Sequence, residues 1–249
     1  MSNVGRCADG RLNTQVALFG LKEQIMRREY TIPEWSSTIS ADSEMMLLVI
    51  DMQKLFITDK KSPWSDPDML ELVPNIKALN MGVGAKNSLF TLFRPPVDWQ
   101  DEHKSWRTYY YYSQKVTTEF LGTEAMEVID DFMAEVGNPA TKIASKKTAS
   151  AFASPEFNAM IEKADPLFLV ICGIETDYCV LATALDALNR GYYVVIPLDA
   201  CASSAATGQS NAEGIFKRFP EQLWVTDTKT FLEQIGAEHA LILESVENL

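Results

Sequence analysis

Histidine is nearly missing from this chain: His103 and His239 are the only two in 249 residues. A zinc or iron centre built on several imidazoles is therefore excluded. Cysteine is also sparse. Cys7, Cys172, Cys179 and Cys201 show no metal-site spacing, and a chain of this length needs no disulfide framework, so a reducing, cytoplasmic setting is expected. Basic residues are too few to match the acids: 22 Lys and Arg against 34 Asp and Glu leave a net charge of −12. No basic block offsets that balance, which opposes nucleic acid and anionic membrane as partners. No apolar run approaches the roughly 20 residues of a membrane span. Val16 to Leu21 is too short for a signal-peptide core, and Asp9, Glu23 and Glu29 interrupt the arginines a transit peptide would keep clear. Internal repeats and low-complexity segments are absent as well.

What is present is an ordinary globular composition, 47% hydrophobic and 22% charged, enough for one large α/β domain. Residues 1–44 read as an N-terminal extension. Within it Leu18 to Arg28 suits a short amphipathic helix, and Tyr30 to Ser37, with Pro33 and Trp35, reads as extended chain packing on the body. We assign it no chemistry. Residues 45–249 form the main domain, organised around Leu167 to Ser204. There a continuous apolar run to Cys172 suits a strand buried on both faces, and Gly173 is expected to break it. Leu181, Ala184, Leu185 and Leu188 recur at helical spacing, and Tyr192 to Pro197 gives the next strand.

The same alternation runs through the rest of the domain. Strands are predicted at Met45–Ile50, Ser88–Phe93, Thr141–Ala144 and Gln222–Thr226, and helices at 74–85, 124–136, 155–163 and 207–219, with a helical C-terminal tail. Strands alternating with helices imply parallel pairing, because parallel neighbours need crossover connections. The expected fold is a three-layer α/β/α sandwich around a doubly wound, Rossmann-like parallel sheet of about six strands.

Three polar residues follow different strands at their C-terminal ends, the rim where open α/β sheets bind ligands. Asp51 ends the first strand, and it is equally consistent with a turn or a helix cap. Lys146 and Lys147 follow the third, although solvated surface is the usual fate of lysine. Cys179 follows the fourth. With Thr176 as cap it falls in the first helical turn, where the helix dipole is expected to lower a thiol pKa; the alternative is a buried space-filling cysteine. Trp99, Trp106 and the run Tyr109–Tyr112 hang over the same rim as lid, pocket or subunit interface. Phe56, in the loop after Asp51, is a further aromatic near it. Cys201 and the serines after it read as small residues in a tight turn.

Taken together, the segments LLVIDMQKLF, KKTASAF and GIETDYCVLATALDA resemble the isochorismatase-like cysteine hydrolase superfamily, over about Met45 to Thr226. The resemblance implies a triad of Asp51, Lys146 and Cys179. The family spacing of Lys four residues before the Ser of Ser-Ala-Phe selects Lys146 over Lys147. It implies a non-proline cis peptide at Ile174–Glu175, an oxyanion site formed by backbone at Ile174, Glu175 and Cys179, and substrate contacts from Phe56, Trp106 and Phe152. Ala149 stands where the family has an aromatic, a departure that widens the pocket. Nicotinamidases in this superfamily bind a metal through Asp-x-His and further histidines. The matching region here offers Asp98, Asp101 and His103, so neither metal nor cofactor is expected.

The implied activity is metal-independent C–N hydrolysis of a small amide or carbamoyl compound through a thioester on Cys179. The alternatives are vinyl-ether hydrolysis of the isochorismatase type, with Asp51 as general acid, and a non-catalytic binding or redox-sensing member. The expected partner is a small-molecule substrate, and a homodimer or homotetramer is the expected assembly.

Overall fold

The computed structural model describes residues 33–40 and 43–236. The helix expected at 18–28, the apolar run at 16–21, Cys7 and His239 lie outside the described residues. Seven strands form one sheet: β1 Met45–Ile50, β2 Ser88–Phe93, β3 Lys142–Lys146, β4 Phe168–Ile174, β5 Tyr193–Pro197, β6 Cys201–Ala202 and β7 Leu223–Thr226. Their order is β3-β2-β1-β4-β5-β7, with β6 pairing β4, and every pair is parallel. All residues of β1, β2 and β4 are buried, as parallel strands covered on both faces require.

Helices complete a three-layer α/β/α, Rossmann-like sandwich: α1 Val73–Val83, α2 Lys104–Tyr112, α3 Pro155–Ala164, α4 Leu181–Asn189, α5 Gly208–Phe216 and α6 Thr228–Gln234. Their starts follow simple chemistry. Ser154 accepts the Phe157 N–H ahead of α3, with Pro155 at the first helical position, and Asp227 accepts the Thr230 N–H at 2.7 Å ahead of α6. Among the described residues no helix is long and apolar enough to cross a membrane.

The topology creates the crevice. From β1 the chain runs outward through β2 to β3, then returns to lay β4 on the other flank of β1. The loops leaving β1 and β4 therefore diverge, and ligands of open α/β sheets bind at such a switch point.

Local structure departs from expectation in four places. Residues Glu34–Thr38 form a 3-10 helix rather than extended chain. The hydroxyls of Ser36, Ser37 and Thr38 each donate to the carbonyl three residues earlier, which favours the tight turn. Trp35 does pack on the body, its ring 4.7 Å from that of Tyr193 and its Nε1 donating to Pro220 O at 3.0 Å.

The helix expected over 124–136 is instead a chain of short turns, Glu124–Met126, Asp130–Phe132 and Met133–Gly137. Its backbone is drawn to the segment leaving β1. Glu127 O accepts the Lys54 N–H, and the Ile129 N–H donates to Met52 O. Apolar spacing in this stretch reflects burial of Val128, Ile129 and Phe132, not helical winding.

Gly173 does not break β4 but continues it, paired with Ile50 and Cys201. Its φ of 106° lies where L side chains rarely go, and a Cβ there would collide with the Ile50 backbone. The glycine permits close approach of two central strands. Finally, the segment read as a tight turn at Cys201 contributes the two-residue strand β6, which raises the sheet from six strands to seven.

Candidate active site

Asp51 is the first residue beyond β1 and is completely buried. Its backbone adopts φ 55°, a left-handed conformation that costs a non-glycine residue about 1–2 kcal/mol and that Asp tolerates better than most. Thr91 on β2 holds it twice: the Thr91 hydroxyl donates to Asp51 Oδ1 at 2.7 Å and accepts the Asp51 N–H at 3.2 Å. The other carboxylate oxygen lies 2.6 Å from Lys146 Nζ.

Lys146 is the last residue of β3, two strands away from β1. Its long stem spans the gap by passing over the Phe93 ring, with Nζ 5.2 Å from the ring centroid. Nζ also donates to Thr148 O at 3.1 Å and to Cys179 Sγ at 3.3 Å. Burial acts to lower the Lys146 pKa, but the Asp51 charge and the Cys179 sulfur outweigh it, so the ammonium is held more firmly than in water. Lys147 is exposed. Asp51, Lys146 and Cys179 are thus brought together.

Cys179 sits in a π-helical turn, Thr176–Val180, that leads into α4. Thr176 does not cap it. That side chain is buried and donates to Gln209 Oε1, whose amide nitrogen is spent on Leu198 O and Cys201 O. Thr183 ties this turn to the Ser-Ala-Phe turn, donating to Cys179 O at 2.7 Å and accepting the Ala151 N–H at 3.1 Å. The thiol pKa is not lowered. Burial first, then the Asp51 carboxylate, push it up to about 12 against the opposing Lys146 charge. Burial therefore favours the neutral thiol beside the Asp51 carboxylate. The Ile174–Glu175 peptide between β4 and this turn is cis.

Above the cluster lies a cavity of about 340 Å³. Phe56 and Trp106 line it, as does Ala149. Phe152 does not. It is buried in the Ser-Ala-Phe turn against Phe157 and Tyr192, with the Arg190 guanidinium 4.5 Å above its ring, so its expected substrate contact is corrected to a packing role. Trp64, Phe93, Tyr178 and Asp177 line the cavity unforeseen, and Tyr109 and the Glu175 side chain join them. Trp64 stacks on Phe56 with ring centroids 5.8 Å apart. The aromatic stretch forms helix α2, which lends Trp106, Tyr109 and Tyr110 to the wall, while Tyr111 and Tyr112 face outward.

Gln53 was also missed. It is fully buried and clamps the cavity floor, donating to Phe93 O and Met126 O while accepting the Phe93 N–H. Asp98 and Asp101 cap each other's backbone around a short 3-10 turn, and His103 is exposed. Among the described residues no group of three His, Cys, Asp or Glu side chains could hold a metal ion.

Comparison with known proteins gives the same outline. The chain is similar to a cysteine hydrolase from Pseudomonas syringae pv. phaseolicola 1448A, with a TM-score of 0.68 and 20% identity over 84% of this chain and 98% of that one. It is similar to N-carbamoylsarcosine amidase from Thermoplasma acidophilum, with a TM-score of 0.59 and 19% identity over 74% and 96%. Those likenesses concern the fold. In sequence, 58 residues are 41% identical to isochorismatase domain-containing protein 2 of Xenopus laevis, covering 23% of this chain and 28% of that one. The chain spans less than half the length of the curated relatives it matches. The isochorismatase domain model matches residues 45–230, a stretch that carries all seven strands and the buried Asp-Lys-Cys cluster, and the chain therefore belongs to the isochorismatase family.

Proposed function

We propose that the protein is a hydrolase that cleaves the C–N bond of a small amide or carbamoyl compound through a thioester on Cys179, without a metal. The observation that carries this reading is the convergence of Asp51, Lys146 and Cys179 at the floor of an aromatic cavity, with Lys146 Nζ 2.6 Å from the carboxylate and 3.3 Å from the sulfur. A raised thiol pKa beside a carboxylate suits proton transfer during attack better than a standing thiolate.

In the proposed sequence Asp51 accepts the thiol proton as Sγ bonds to the carbonyl carbon. Backbone N–H groups of Cys179 and of the turn after the Ile174–Glu175 bond receive the oxyanion. Collapse breaks the C–N bond, and Asp51 returns the proton to the departing nitrogen, releasing ammonia or an amine. Water then adds to the thioester, giving the acid and restoring the thiol. Lys146 stays protonated throughout and offsets the charge of Asp51 and of the sulfur.

The test is ammonia release from nicotinamide, N-carbamoyl amines, ureido acids and aliphatic amides, comparing the parent protein with Cys179→Ala. Release that depends on the thiol is expected for at least one compound. Full turnover by the alanine variant would overturn the covalent mechanism.

A further inference from the structure

We infer that the cavity selects an organic cation: the compound whose amide or carbamoyl carbon meets Cys179 carries an alkylammonium group held by Glu175, Asp177 and the surrounding rings. This rests on the reading of Cys179 as the nucleophile, and it goes further by naming the substrate class.

Charge is the first argument. Within the cluster Asp51 and Lys146 neutralise each other at 2.6 Å. Glu175 and Asp177 line the same cavity, and among the described residues neither forms an ion pair with Lys, Arg or His. The wall is therefore anionic around a neutral floor. An anionic ligand would meet two like charges at close range, and a neutral one would strip water from two carboxylates without replacing it. A cation is the ligand class that recovers that desolvation.

The carboxylates are also held in place. Ser203 donates to Asp177 Oδ1 at 2.6 Å and lies 3.4 Å from Glu175 Oε2, which further accepts the Ser204 N–H and hydroxyl, each at 3.0 Å. These donors are neutral, so they orient the acids without cancelling them. Gly208 makes room: a Cβ there would collide with Ser203 Oγ and the Asp177 carboxylate. Asp177 and Cys179 belong to one π-helical turn and both line the cavity.

The rings supply the second, independent argument. Phe56, Trp64, Phe93, Trp106, Tyr109 and Tyr178 surround the space. They are mutually braced, Trp64 edge-on to Phe93 at 6.2 Å and Trp106 edge-on to Tyr109 at 5.6 Å. Aromatic faces beside carboxylates form the environment that favours alkylammonium over a neutral group of the same shape.

Choline and its neutral isostere 3,3-dimethylbutan-1-ol separate charge from shape. Titrated into the full chain at constant ionic strength and followed by the fluorescence of Trp64 and Trp106, choline is expected to bind roughly tenfold more tightly. The ratio should fall towards one in Asp177→Asn and in the Glu175→Gln/Asp177→Asn pair. Equal affinity for the two probes, or no binding of choline, overturns the inference. So does a ratio unchanged in the folded variants. The parent comparison needs no variant, so a misfolded mutant cannot obscure the answer. Binding without turnover also keeps the two readings apart: choline should still bind Cys179→Ala, whatever the ammonia assay returns.

Discussion

Thr91 and Asp51 exchange two hydrogen bonds, hydroxyl to carboxylate at 2.7 Å and backbone N–H to hydroxyl at 3.2 Å. Thr91→Val keeps the shape and removes both. Asp51 Oδ1 and the Asp51 N–H then lose their buried partner while Oδ2 keeps Lys146, which costs about 1–3 kcal/mol of stability. Turnover should fall roughly tenfold or more and should be recovered by Thr91→Ser, which restores the hydroxyl. Unchanged turnover would mean that Thr91 only packs.

Lys146 and Asp51 form a buried ion pair, and removing one partner strands the other. Lys146→Met is expected to destabilise by about 3–5 kcal/mol, whereas Lys146→Met combined with Asp51→Asn should recover part of that loss while remaining inactive. Urea unfolding of the three variants gives the comparison. Additive losses would show that the pair is not coupled.

Because burial and Asp51 hold the Cys179 thiol up at about 12, its alkylation by iodoacetamide at neutral pH should be slower than that of a small free thiol, and should keep rising through alkaline pH without an inflection near the usual value of about 8.5. Asp51→Asn removes one of the two causes and should move the inflection downward. A plateau near neutrality in the parent protein would indicate a preformed thiolate.

Alkaline pH should weaken the fold. Cys172, Cys179 and Cys201 are all shifted upward by burial, so above about pH 8.5 the unfolded chain releases thiol protons that the native one retains. Stability then falls by up to about 1.4 kcal/mol per pH unit for each thiol. Lys146, also shifted upward, acts in the same direction: its contribution is complete below the ordinary lysine value of about 10.4 and is lost as pH rises through the folded value. Thermal midpoints should decline steadily from about pH 8.5 upward, less steeply in a Cys172→Ala/Cys201→Ala variant. A flat profile would contradict the burial argument.

Metal removal should change nothing in the proposed chemistry. Dialysis against EDTA is expected to leave both the thermal midpoint and any thiol-dependent ammonia release intact, and restoration by an added divalent ion would count against the proposal.

Much of this was legible in the residues. Continuous apolar runs announced β1 and β4, because burial on both faces leaves no alternation, and Asp51, closing the first, marked the rim. Cys179 was found from its place in the turn after β4, and Lys146 was chosen over Lys147 by the family spacing. Thr91, Gln53 and Trp64 were missed. A threonine inside a strand and a glutamine after one look ordinary until the register sets Thr91 beside Asp51 and turns Gln53 towards Phe93. Glu175 was named only for its backbone and Asp177 not at all, since only the fold brings Ser203 and Ser204 back onto their carboxylates. Phe152 misled for the opposite reason: adjacency to a motif is not adjacency to a cavity. The turns at 124–136 defeated periodicity because their backbone partners lie in Met52 and Lys54, some seventy positions upstream.

The ammonium of the cluster is carried by β3, among the described residues the outermost strand on its side of the sheet. Edge strands open at lower free energy than central ones. Detaching β3 would withdraw Lys146 from Asp51 while β1, β2 and β4 stayed paired, leaving a largely intact sheet that has lost its cation. On gradual warming, the site should fail before the sheet melts, and recovery on cooling should wait for that last strand to dock.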